Sequence, residues 1–117
     1  MSDIAVRNEI VRLKLCFAEL SRLTDVRPVD WRKQYVALRR VVNDCLVRMA
    51  ANVAQLQDGT TVRPLVIRLN HLVSLHQAEW PVVSIDLDDP SYASSCERIS
   101  STIEQIADAM RQLRRAA

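Results

Sequence analysis

Two histidines, His71 and His76, stand in the run RLNHLVSLHQAEW (68–80), and the chain has no others. Imidazole binds transition metals, moves protons near neutral pH and can accept a phosphoryl group. Spacing excludes a shared metal. Five residues along an α-helix turn through about 500°, leaving the two rings about 140° apart around the axis, whereas ligands on one helix stand three or four apart. Other chemistry is scarce. Asp44, Glu97, Glu104 and Asp108 fall away from the apolar stripes described below, and no Glu-x-x-His occurs for a di-metal bundle site. Cys45 and Cys96 fall on apolar seams with no base beside them, which makes neither an activated nucleophile. The chain is therefore expected to be no enzyme, to hold no metal or cofactor, and to take no small-molecule substrate.

The elements that carry these residues are helices. A single glycine in 117 residues leaves little scope for tight turns, bulges or phosphate-cradling loops. Val6, Ile10, Leu13, Phe17 and Leu20 recur at steps of three and four, predicting a first helix over about Asp3–Leu23. Pro28 ends it, and Asp30 is placed to cap a second helix. The seam of that helix runs through Trp31, Tyr35, Leu38, Val42, Cys45, Met49, Val53 and Leu56 to Asp58-Gly59, where Gly59 would take a left-handed cap. Thr60 or Thr61 opens a third helix with Pro64 in its first turn and a stripe of Leu65, Leu69, Leu72, His76 and Trp80. VVSIDLDD reads as a short extended segment over the bundle end. Asp89-Pro90 starts the last helix, whose seam is Tyr92, Cys96, Ile99, Ile103, Ile106, Met110 and Leu113, with Arg111, Arg114 and Arg115 near its end. These features predict an all-α protein of one domain over residues 1–117: an up-down-up-down antiparallel four-helix bundle with a short extended linker before the last helix.

On this frame His76 lies in the seam as a hydrogen-bonded core residue and His71 faces outward. An outward histidine midway along a bundle helix resembles the histidine phosphotransfer domains, whose pattern is His-x-x-Lys-Gly. The resemblance implies a signalling module with His71 as phosphoacceptor. Here Ser74 and Leu75 replace the lysine and glycine, so it is confined to architecture.

The first helix carries a second apolar row, Ile4, Val11, Leu15 and Ala18, about half a turn from its seam. The third is apolar over a wide arc that adds Val66, Ile67, Val73 and Leu75. A lone bundle buries only one stripe per helix, so these rows predict an interface, with Ile4, Val11, Leu15, Ala18, Val66, Ile67 and Val73 contacting a protein partner or further copies of the chain. The expected role is an adaptor, regulator or small subunit.

Charge offers another surface. Residues 1–57 carry ten basic and six acidic side chains and residues 58–117 six and eight, splitting a net +2 into +4 and −2. Arg7, Arg12 and Lys14 on the first helix, with Arg32, Lys33, Arg39 and Arg40 on the outside of the second, would suit a nucleic-acid backbone or an acidic protein. No aromatic residues interleave with them for base stacking. The acidic run Asp86, Asp88 and Asp89 would equally receive a basic patch from a second copy. No apolar run approaches the ~20 residues that span a bilayer. MSDIAVRNEI lacks the basic start and apolar run of a secretion signal, and three widely separated cysteines suit reduced thiols, together predicting a cytoplasmic protein without a membrane partner.

Overall fold

Each helix turns one apolar stripe toward a common axis. The computed structural model describes residues 2–116, with side chains over 3–113; the side chains of Arg114 and Arg115 lie outside the described residues. The helices are α1 (Ser2–Val26), α2 (Trp31–Val53), α3 (Val62–Glu79) and α4 (Pro90–Ala116). α1 packs on α2 and α4, and α3 packs on the same two, so α1 and α3 occupy one diagonal of a square and α2 and α4 the other. Bonds across the seams fix an antiparallel order. Arg7 Nη2 donates to the Met110 carbonyl at 2.8 Å, Lys14 pairs with Glu104 at 2.9 Å, and Arg48 reaches Glu9 at 2.9 Å. The bundle measures 48 × 23 × 20 Å.

The seams of α1, α2 and α4 follow the sequence spacing, with Phe17, Leu38, Cys96 and Leu113 half-buried at their edges. Val6, Ile10, Leu13 and Leu20 are buried on α1, Tyr35, Val42, Cys45, Met49 and Val53 on α2, and Ile99, Ile103, Ile106 and Met110 on α4. α3 departs from it. Its buried row is Val62, Val66, Leu69, Val73 and His76, while Leu65 and Leu72 are only half-buried. Two apolar rows lie side by side on this helix, and contact with both α2 and α4 selects the valine row. Val66 and Val73 are thereby corrected from expected interface residues to core.

The helix ends also differ in detail. α2 stops at Val53, and Leu56 is buried in the turns that follow. Gly59 has no left-handed backbone. It serves instead as a close approach, because a Cβ there would lie 3.1 Å from Leu56 Cβ and 3.1 Å from Arg63 Cζ. The left-handed residue is Arg27, at φ 51°, which closes α1 immediately before Pro28. Asp30 makes no side-chain bond to an α2 amide, and its Oδ1 accepts from Gln34 Nε2 at 2.8 Å instead. Asp89 does cap α4, accepting the Ser91 amide at 2.8 Å. The segment before α4 is extended at Pro81 and Ile85 but folds into a 3₁₀ turn at Val82–Ser84. It buries Ile85 against the core and leaves the outer side of α1 uncovered.

Leu13 is fully buried at the centre of this packing. Leu13→Ala is expected to lower stability by about 2–5 kcal/mol in urea denaturation with an unchanged slope. A loss under about 1 kcal/mol would mean that the seam is not tightly packed there.

Candidate functional site

The core is not uniformly apolar. Near the end holding the α1–α2 connection, α2 and α4 meet through a hydrogen bond between the Tyr35 and Tyr92 hydroxyls at 2.7 Å. Arg39, one turn after Tyr35, lies with Cζ 4.7 Å over the Tyr35 ring, and its Nη2 donates to the Trp80 carbonyl at 2.7 Å. Heptad spacing puts His76 of α3 in the same layer, 5% exposed, its ring 5.3 Å from that of Tyr92 and Nδ1 2.7 Å from Ser95 Oγ. Burial, then the charge of Arg39, lowers its pKa to about 4, so the ring is neutral at pH 7. Burial and the Tyr35 bond push the Tyr92 hydroxyl far above the usual phenol range. Trp80 packs edge-on against Tyr92 at 5.5 Å, and its buried Nε1 has no hydrogen-bond partner among the described residues.

These groups line a cleft of about 410 Å³ that opens on the bundle side. Phe17 and Leu20 of α1, Val42 of α2, Val73 of α3 and Ile99 of α4 form apolar walls, and Leu87 of the linker closes one part. Arg39, Tyr35, Tyr92 and His76 supply the polar groups. The volume and the mixture of apolar walls with few polar groups are those of a small-molecule pocket. The histidine spacing indicated a core residue but not a cleft.

A second buried polar centre lies toward the other end. Glu9 is 4% exposed and accepts from Arg48 Nε at 2.9 Å and from Arg12 Nη1 at 2.8 Å. Burial alone would raise its pKa, but the Arg48 bond, the Cys45 thiol and the two arginine charges outweigh that and hold it below the usual range. Cys45 is pushed up to about 11 by burial and then by Glu9, and burial also raises Cys16 and Cys96. None of the three is poised as a nucleophile.

The outer faces keep most of their expected residues. Ile4, Val11 and Leu15 are 55, 56 and 65% exposed, and Ala18 continues the row. On α3, Ile67 and Leu75 are 70 and 52% exposed, with His71 between them. Pro64 and Ala78 extend this row at the same three-four spacing, also exposed. His71 thus sits in the middle of an outward apolar stripe. Because α1 and α3 are diagonal, the two stripes face away from each other on opposite sides of the molecule.

Five of the seven basic residues are engaged by protein groups. Arg7 bonds Met110, Arg12 bonds Glu9, Lys14 pairs with Glu104, and Arg32 donates to the Val82 carbonyl at 3.2 Å while lying over the Trp31 ring. Arg39 is not on the outside of α2 but turns into the cleft. Only Lys33 and Arg40 of the seven have no protein partner among the described residues. The acidic run is also used internally, with Asp88 paired to Arg27 at 3.0 Å and Asp89 capping α4. Among the described residues, no helix is long and apolar enough to cross a membrane.

The depressed His76 pKa sets a pH dependence. The unfolded chain protonates this residue near 6.5 and the folded chain near 4. Its contribution to stability is complete above about pH 6.5, declines as the pH falls, and is exhausted below about 4. Between pH 7 and 5 the loss is expected to be about 2 kcal/mol. Urea denaturation at both pH values checks this against His76→Gln, which should lose less; an equal fall in both proteins would put the proton elsewhere. Iodoacetamide at pH 7.5 should leave the buried Cys16 and Cys45 unmodified in the native protein and alkylate them in urea, as read by mass spectrometry. Native labelling of Cys45 would contradict its shielding by Glu9 and the core.

No protein-family model, curated protein or solved structure matches this chain.

Proposed function

We propose that the protein is a non-enzymatic adaptor that docks amphipathic helices of partner proteins on two opposed faces, the outer sides of α1 and α3. The observation that carries this reading is the pair of exposed apolar rows, Ile4-Val11-Leu15-Ala18 and Pro64-Ile67-His71-Leu75-Ala78, each turned away from the core. Their three-four spacing suits the apolar edge of another helix, as in helix-to-helix recognition. Neither row is explained by the fold, since each helix buries its other side and the linker covers neither. Each row offers a few hundred Å² at about 25 cal/mol per Å², and association entropy offsets much of the gain. Single contacts of that size are weak, so using both faces together would favour a small subunit held within a larger assembly.

Site-specific photo-crosslinking in the native host tests the reading. A photo-reactive residue at position 15 or 75 should capture a defined segment of a partner or of another copy, mapped by mass spectrometry to an amphipathic helix, while one at exposed Glu97 should not. Leu15→Asp and Leu75→Asp should each lower capture at their own face by about tenfold or more and leave the opposite face unaffected. The absence of any crosslink at both faces would overturn the proposal.

A further inference from the structure

We infer that the cleft between the helices is a binding site for a small monocarboxylic acid with an apolar body, the carboxylate meeting Arg39 and the body lying between Phe17, Leu20 and Ile99. This rests on different residues from the docking faces and stands apart from them.

The cleft's charge gives the ligand class. Arg39 is half-buried on its lining and forms no ion pair with any carboxylate among the described residues. Its hydrogen bonds to described residues run through Nη2, to the Trp80 carbonyl at 2.7 Å and the Tyr35 hydroxyl at 3.4 Å. Nε and Nη1 donate to no group among the described residues, so N–H donors remain for a planar acceptor. A guanidinium matches a carboxylate with two parallel hydrogen bonds. The Tyr35 ring beneath and the Trp80 carbonyl beside it hold the guanidinium before any ligand arrives, which lowers the ordering cost of binding.

The other groups narrow the choice. His76 is neutral and the two tyrosines are bonded to one another, leaving Arg39 as the cation on the lining. His76 Nδ1 is engaged by Ser95, and no group among the described residues bonds its Nε2, which can meet a polar atom of the ligand. Glu97 lines the cleft from an exposed position and makes no ion pair with Arg39. A second negative charge on the ligand would face that carboxylate, so a monoanion fits better than a dicarboxylate or a phosphate ester. The apolar walls exclude a small hydrophilic anion as the best occupant, because they would be left against water.

Isothermal titration of the full chain at pH 7.5 with cinnamate and octanoate, each against its alcohol, tests the assignment. One equivalent of at least one acid should bind ten- to a hundredfold more tightly than its alcohol, as expected for one charge-assisted pair. Arg39→Gln should remove that preference, with the circular dichroism spectrum and urea midpoint showing that the bundle persists. Ala93→Trp, at an exposed lining position of α4, keeps Arg39 and should weaken acid and alcohol alike by obstructing the cleft. Should Arg39→Gln fail to fold, Arg39→Lys retains the charge without the fork and should reduce the preference without abolishing it. Equal binding of acid and alcohol, no binding of either acid, or an unchanged preference in a folded Arg39→Gln would each overturn the proposal.

Discussion

The rotational phase of each helix is the constraint on which the rest of this structure depends. Long helices with one apolar stripe apiece have few ways to bury those stripes around a shared axis, and each choice fixes the direction of every other side chain. Val6, Leu13 and Leu20 set α1, and once they point inward Ile4, Val11 and Leu15 can only point out. On α3 the inward row of Val62, Leu69 and His76 turns Ile67, His71 and Leu75 outward. The outer rows are therefore what the core leaves over, and the fold alone does not require them to be apolar.

Two polar clusters interrupt the apolar seams at different levels. Glu9 with Arg12 and Arg48 joins α1 to α2 toward one end, and Tyr35, Arg39, His76 and Tyr92 join α2, α3 and α4 toward the other. They differ in kind. Glu9 is neutralised by arginines whose own heads remain partly in water, so its burial carries little unbalanced charge. Arg39 has a charge with no ion-pair partner among the described residues and an open space beside it. A side chain that only pinned helix register would need neither.

Much of this was legible in the residue spacing. Steps of three and four located all four helices, and the Asp89-Pro90 start marked the beginning of α4 closely. The direction of the α1 outer row followed from the same arithmetic. Phase was legible only where the apolar arc was narrow. On α3, Leu65 and Leu72 run beside Val66 and Val73, and periodicity cannot choose between adjacent rows without knowing where α2 and α4 stand. Glu9 escaped notice because its charge suggested solvent, yet positions 9, 16 and 23 form a step-of-seven row with Cys16 and Leu23, both buried. Arg39 had a similar signal, four residues after Tyr35 and three before Val42. The cleft itself had none, since it arises from space left between side chains of different helices.

The placement of two unlike stripes on opposite flanks has a consequence for symmetry. Were the α1 flank of one copy to fit the α3 flank of the next, the contact would be head-to-tail, and unless the rotation closed a ring the copies would add into an open filament. The stripes are not equivalent: one is wholly aliphatic, while the other carries an imidazole at its midpoint. Seating that imidazole against an aliphatic row would strip it of water without offering a hydrogen bond in return. A polar residue at the centre of an otherwise greasy edge would thus disfavour indiscriminate stacking of copies.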